Sequence, residues 1–515
     1  MTILTQILST SELEFPPRLL HFTVALSSAY VVFWIFRAFY RLTFHPLASF
    51  PGPKFAGASF WWLYQNEKDG HLEENLKALH QKYDTHILRI GPNELHIDDA
   101  SVYDEIYSQK YRFMKDPDFY ASFNAPNTIF SEGMPDPHRE LRKIISPFFS
   151  KQRIVAVEPT IYAKVNLMFN KIREFKDQGA IHMYNAIRCL TVDFISEYSF
   201  GQSFSLLEDA KDLEFHPGIL FAFDMSTEVV TTFRYFPILR QFSNLMPLSL
   251  MAFLSQKITK VKELKMALAD AMSSFDKARA DGQKFEHLPL FDPLSHMSKE
   301  YIEAESIDIM VAGSDTTATS LGYLVNAVLR NPDILQKLRA ELDAGLPDKD
   351  ANWPLLELEK FEYLTACIKE TLRCAMPVPG RLPRVVPMPQ PGTPPFIVDG
   401  KVIPPGSTVG ISAQSVHHSE SIWGLDSQVF KPERWLGPDS KQLEKFLVTF
   451  GKGGRQCLGI NLAYAELRIA AAKLFRCLDM SLDSSMTKKD LNQLDHFASA
   501  YEGTGVRVFI RGERP

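Results

Sequence analysis

The chain has 515 residues, 45% of them hydrophobic and 23% charged, with a net charge of -5. This composition supports a large buried core, to which 38 Phe contribute, and argues against the basic stripe of a nucleic-acid-binding protein. Five cysteines with no CxxC pair, and no N-x-S/T sequon, argue against a disulfide framework or structural zinc and suit a reducing compartment.

The first predicted element is an apolar helix. Residues 19–36, "LLHFTVALSSAYVVFWIF", carry no formal charge over 18 residues, close to the roughly 20 that span a bilayer. Arg37, Arg41 and Lys54 lie downstream, against Glu12, Glu14 and Arg18 upstream. The positive-inside rule then places the body of the chain in the cytosol. The length, the downstream basic flank and the lack of a small-x-small cleavage site favour an uncleaved anchor over a signal peptide. "HPLASFPGP" (45–53) cannot continue a helix and reads as a stiff hinge.

"HILRIGPNELHIDD" (86–99) shows two apolar runs split by Gly91-Pro92, the pattern of a hairpin. Residues 136–345 are mostly helical in pattern, with apolar residues three and four apart in windows such as 151–176 and 302–344. Within them His138 and Arg142 share a helix face at i and i+4; alone they read as a solvated basic face. In "IDIMVAGSDTTATSLGYLVNAVL" (307–329), Gly313 sits in a helix interior at a cost of about 1 kcal/mol relative to Ala. Its polar neighbours Ser314, Asp315, Thr316 and Thr317 either bond back to their own helix or line a groove. Glu370 and Arg373 of "KETLR" are placed to pair at i and i+3. Short Pro-Gly-punctuated strands follow over 377–411, then "FKPERW" (430–435), a helix over 460–480 and a closing strand over 505–511. No internal repeat appears, and the body reads as one large, mainly α domain with a minor sheet.

"FGKGGRQCLG" (450–459) sets Cys457 just before a strong helix-forming run, where unpaired N–H groups favour a negative charge. Glycines 453, 454 and 459 let the backbone curl round the sulfur and approach a flat partner. A bland buried cysteine calls for neither the glycines nor Arg455. A nucleophilic cysteine wants a His/Asn partner, for which no local signature is present. An axial thiolate on a haem iron accounts for every piece, with Arg455 directed to a propionate.

The pattern F-x-x-G-x-R-x-C-x-G, filled by Phe450, Gly453, Arg455, Cys457 and Gly459, arises by chance in a chain this long on the order of one time in ten thousand. The loop resembles the cysteine-ligand signature of the cytochrome P-450 family. Upstream motifs follow that family's order. "AGSDTT" (312–317) resembles the motif of the distal helix; by that likeness Gly313 leaves room for dioxygen, Thr316 donates a hydrogen bond to it and Asp315 helps bring protons in. Glu370, Arg373 and Arg434 resemble the family's buried charge network, which is structural. Arg142, Arg384 and Arg455 match propionate-binding positions, and His138 stands where the family commonly has Trp. The Phe- and Tyr-rich segments 111–130 and 220–239 are implied as pocket walls.

The resemblance implies a cytochrome P-450 fold over 45–515, preceded by an N-terminal segment, 1–44, with a transmembrane helix at about 18–37. It implies haem b, held by Cys457, and a monooxygenase that oxidises a lipophilic secondary-metabolite intermediate, terpenoid or similar. The general style is similar to fungal microsomal members, and loosely to the trichodiene-oxygenase-like group. The location implied is the endoplasmic reticulum membrane, single-pass, with the catalytic domain in the cytosol. No nucleotide-binding motif opens a helix after a strand, so electrons are expected from an NADPH-cytochrome P-450 reductase, with cytochrome b5 a further candidate donor. Arg139, Lys143, Lys151, Arg153, Lys441, Lys445 and Lys452 are candidate docking residues, or equally a scatter of solvated charges. Two rivals are a haem-thiolate isomerase or dehydratase working without reductase, against which the intact Thr motif argues, and a non-catalytic haem-binding protein.

Overall fold

The computed structural model describes residues 17–108, 113–392 and 394–515. Glu12, Glu14 and the first two residues of the segment 111–130 lie outside the described residues. Helix α1 (Pro17–Thr43) contains a 23-residue stretch, His21–Thr43, of mean hydropathy 1.6 whose apolar window is wholly unburied. It is long and apolar enough to cross a membrane.

The turn after α1 is pinned rather than loose. Arg89 is 4% exposed and donates from Nη1 to Arg41 O at 2.9 Å and from Nη2 to Pro92 O at 2.7 Å. Its backbone N–H donates to Pro51 O at 2.7 Å. Strands β1 (Ile87–Gly91) and β2 (Glu94–Ile97) form the expected hairpin, pairing Ile87 with Ile97. They begin a five-stranded sheet with β3 (Met114–Lys115), β4 (Arg384–Val385) and β7 (Thr408–Gly410), in the order β1-β2-β7-β4-β3. The β2–β7 pairing is parallel and joins residues more than 300 positions apart, Leu95 to Val409. Hairpins β5–β6 (Ile397–Val398, Lys401–Val402) and β9–β10 (Gln493–His496, Ala498–Tyr501), and the pair β8–β11 (Leu478–Leu482, Val508–Glu513), complete the β structure of the described residues.

The helices that position the site are α2 (Pro135–Ile145), α3 (Met183–Phe200), α4 (Gly218–Tyr235), α5 (Gln256–Ala280), α6 (Lys299–Arg330), α7 (Glu362–Ala375) and α8 (Ile460–Cys477). The helical pattern over 302–344 is divided: α6 ends at Arg330, and Pro332, which suits a first helical turn, opens a separate helix, Pro332–Gly345. The window 151–176 divides likewise at Val157, ahead of Pro159. With 32 residues, α6 runs about 48 Å through the domain. Ser298 caps it by accepting from Tyr301 N. Its neighbour α3 buries nearly every side chain and α8 most of its own, and all three share the main core.

The closest approach of α3 and α6 explains Gly313. A Cβ built there would stand 2.6 Å from Cγ1 of Ile195. The missing side chain therefore serves helix packing, and the expectation that it leaves room for dioxygen is not what the geometry shows. Ile195 is β-branched and 1% exposed, so it has little freedom to yield. Gly313→Ala should accordingly destabilise by about 1–3 kcal/mol despite Ala's better helix propensity. Ile195→Ala should restore part of the loss in the double variant. Thermal unfolding of the four proteins of the cycle measures both effects.

Candidate active site

The loop before α8 is closed by Cys457 N–H donating to Phe450 O at 2.8 Å. Phe450 itself lies against Tyr464 of α8, with ring centroids 5.6 Å apart. Gly451 and Gly453 have φ of +64° and +67°, the region that favours glycine. A Cβ on Gly453 would stand 2.5 Å from Tyr107 O, so this glycine seats the loop on the neighbouring backbone rather than clearing a flat partner. Gly459 does border the sulfur: a Cβ there would be 4.0 Å from Cys457 Sγ. The other four cysteines are buried, and Cys457 alone is exposed. Desolvation in its recess pushes the thiol up from its ordinary value, while the Gly459 N–H and the Arg142 charge pull it back. A coordinated metal ion would deprotonate it outright.

Around this thiol the chain gathers cations. Arg142 on α2 donates to Gln456 O at 2.8 Å. Arg455 donates to Glu132 O at 2.6 Å and Gly133 O at 2.9 Å. Arg384 donates to the Tyr120 hydroxyl at 2.7 Å and lies over the Tyr107 and Tyr120 rings. Lys115, 7% exposed, donates to the carbonyls of Ile129 and Phe130. His138 is 4% exposed; burial and then Arg455, Lys115, Arg142 and Arg384 press its pKa down to about 3, so it is neutral. Burial and Arg384 lower Arg455 to about 10. Among the described residues none of these four cations has a carboxylate within ion-pair distance; their acceptors are carbonyls and a phenol. Buried cations without counter-charges are costly, and a dianionic ligand is what such a cluster fits. Lys115 was not singled out from sequence, because the segment 111–130 reads as aromatic and its one lysine looks like a solvated charge.

The polar residues of α6 divide between two faces. Ala312 is exposed in the middle of an otherwise buried helix, and half-buried Thr316 lies one turn on from it. This accessible strip is the candidate cavity face. The Thr316 hydroxyl donates to Ala312 O at 2.8 Å, the back-bonding alternative weighed above, so its oxygen faces the cavity as an acceptor. Asp315 points elsewhere. It is 6% exposed and accepts from Arg188 Nε on α3 at 2.8 Å, while Arg188 Nη2 donates to Asp224 on α4 at 2.7 Å. Thr316 and Asp315 are thus not brought together.

Glu370 and Arg373 on α7 are both 0% exposed and share bonds of 2.7 and 2.9 Å. Glu370 also accepts from Arg434 Nε at 3.3 Å, Trp435 Nε1 at 3.0 Å and Lys431 N at 2.9 Å. Arg373 reaches on to His417 O at 2.8 Å and Val429 O at 3.1 Å. The network ties α7 to the segment 417–435.

The aromatic segments separate in character. Phe119, Phe123 and Phe130 cluster with Phe497, which sits between β9 and β10 with φ of +76° and touches Phe123 at 4.6 Å. Phe497 carries no sequence signal. In the segment 220–239, Leu220 and Phe223 are wholly buried, whereas Ile238 and Leu239 are 64% and 47% exposed. Several candidate docking cations are already paired: Arg139 with Asp136, Lys143 with Glu140, Lys151 with Glu359 and Lys452 with Asp104.

A model of the cytochrome P-450 family matches residues 51–504. Among curated relatives, the cytochrome P-450 monooxygenase macH of Penicillium terrestre is 31% identical over 505 residues, 95% of this chain and 97% of that protein. The cytochrome P-450 monooxygenase tpcC of Cochliobolus heterostrophus is 33% identical over 474 residues, 88% and 87% of the two chains. The tryptophan 6-hydroxylase fscE of Fusarium equiseti is 31% identical over 487 residues, 92% and 93%. The chain belongs to the cytochrome P-450 family, haem-binding oxidoreductases of the monooxygenase class.

Proposed function

We propose that the chain inserts oxygen into a lipophilic secondary-metabolite intermediate, terpenoid or of similar apolar skeleton. The observation that carries this reading is one exposed thiol, Cys457, beside Arg142 in a cluster with Arg384, Arg455 and Lys115, none of which has a carboxylate within ion-pair distance among the described residues. Cys457 Sγ would ligate the iron, and those cations, with a neutral N–H from His138, would take the haem carboxylates. The haem, when bound, supplies activation of dioxygen at the expense of two electrons. The protein side of the work is positional. Thr316 Oγ, its hydrogen directed to Ala312 O, holds a water at the cavity face for proton delivery. Asp315, held by Arg188, sets the charge behind the helix. The charge network of Glu370, Arg373 and Arg434 holds α7 and the segment ahead of the cysteine loop in place.

Residues 1–44 act as a membrane segment and 45–515 as the catalytic domain, in the endoplasmic reticulum membrane and facing the cytosol. Arg37 and Arg41 on the downstream flank support that orientation. So do the exposed apolar side chains Ile238, Phe242, Leu245 and Phe253, which offer a second surface to lipid. Electrons come from an NADPH-dependent reductase on the same membrane.

Reconstitution with such a reductase tests the reading: NADPH consumption should rise only when a suitable apolar substrate is added. Substrate-independent consumption without oxygenated product would overturn it. In Thr316→Ala, consumption should continue while most of the electrons appear as hydrogen peroxide rather than product. An unchanged ratio of product to NADPH would remove Thr316 from proton delivery.

A further inference from the structure

We infer that Asp308 is a specificity-determining residue that accepts a hydrogen bond from a hydroxyl on the substrate, so that the true substrate is an apolar skeleton already bearing an alcohol. This rests on the monooxygenase reading above and narrows its substrate class.

Asp308, Ala312 and Thr316 follow at intervals of four on α6 and therefore share the cavity face. Asp308 lies two turns from Thr316, about 12 Å along the axis. The carboxyl is half-buried. One oxygen, Oδ2, accepts from the Thr128 hydroxyl. No other hydrogen bond or ion pair reaches Asp308 among the described residues, which leaves Oδ1 as an open acceptor. Keeping a half-buried acceptor without a partner is costly unless something bonds to it.

The surroundings select the kind of donor. Glu305, one turn earlier, is already used by Ile129 N–H at 3.0 Å and Tyr301 OH at 2.9 Å. Burial and the neighbouring Glu305 push the Asp308 carboxyl up to about 8, which leaves little negative charge there for a cation, and it is partly pulled back by two lysines, Lys115 and Lys265 of α5, the latter donating to Asn124 O at 3.1 Å. They oppose a cationic ligand and leave a neutral donor as the better fit. A hydroxyl meeting Asp308 places a carbon roughly two helical turns away beside Thr316, where oxygen is inserted. The substrate is then the product of an earlier hydroxylation or of a cyclisation quenched by water.

The test uses the full-length haem-loaded protein in phospholipid nanodiscs and three probes of equal chain length: 1-dodecanol, dodecyl methyl ether and dodecyltrimethylammonium. Binding is read as the Soret shift. Wild type should bind the alcohol about tenfold tighter than the ether, the equivalent of one hydrogen bond, and tighter than the ammonium. Asp308→Ala should lose that preference while keeping its affinity for the ether and its carbon monoxide spectrum. Thr128→Val should keep the preference, which separates recognition from any role of the Thr128–Asp308 bond in seating the loop. Equal affinities in wild type, preference for the ammonium, or an alcohol preference that survives Asp308→Ala would each overturn the proposal. An abnormal carbon monoxide spectrum in wild type would instead overturn the haem-thiolate reading itself.

Discussion

Arg373→Leu should leave little folded, haem-containing protein. Arg373 is wholly buried, and its guanidinium bonds to Glu370, to the carbonyls of His417, Ser427 and Val429, and to Cys374 Sγ. Removing Arg373 takes away the closer cation and leaves Glu370 with Arg434 at 3.3 Å and neutral N–H donors, and breaking such a buried pair costs about 3–5 kcal/mol. Against a total stability of about 5–15 kcal/mol that is a large fraction. Denaturant unfolding and haem content per chain measure the outcome. The double variant Glu370→Leu/Arg373→Leu should be milder than Arg373→Leu alone, because no orphaned charge remains. Should the double variant lose as much as the two single variants added together, the pair would be contributing through packing and not through charge.

Cys457→Ala should have the opposite profile. Cys457 is the one exposed thiol, so the unfolding free energy of the haem-free chain should change by no more than about 0.5 kcal/mol. Product formation should fall to background. The contrast separates two motifs: one is embedded in the core, the other is proposed to carry the chemistry.

Much of this was legible in the residues. A hydrophobic run of bilayer length, a Gly-Pro hairpin and an i, i+3 acid–base pair are local patterns, and local geometry decides them. The cysteine loop is also local, and its spacing alone ties Phe450 to Cys457. What sequence could not show is what stands opposite. Gly313 looked like clearance in a groove because Ile195, 118 positions earlier, is invisible to any window. The motif likeness assigns Asp315 a part in proton delivery beside Thr316, but it cannot show that successive helical residues point about 100° apart or that Asp315 is held by Arg188, 127 positions away. Lys115 and Phe497 join the site only because the sheet and a hairpin carry them there. Chain breaks at Pro159 and Pro332 were visible as prolines, yet continuous apolar periodicity hid that each one starts a new helix.

The central claim is that Cys457 binds the haem iron as a thiolate. The most direct measurement is the absorption spectrum of the reduced, full-length protein under carbon monoxide. The Soret band should be displaced strongly to the red in wild type and not in Cys457→Ala. A band at the position of an ordinary, nitrogen-ligated haem, in folded wild-type protein, would contradict it.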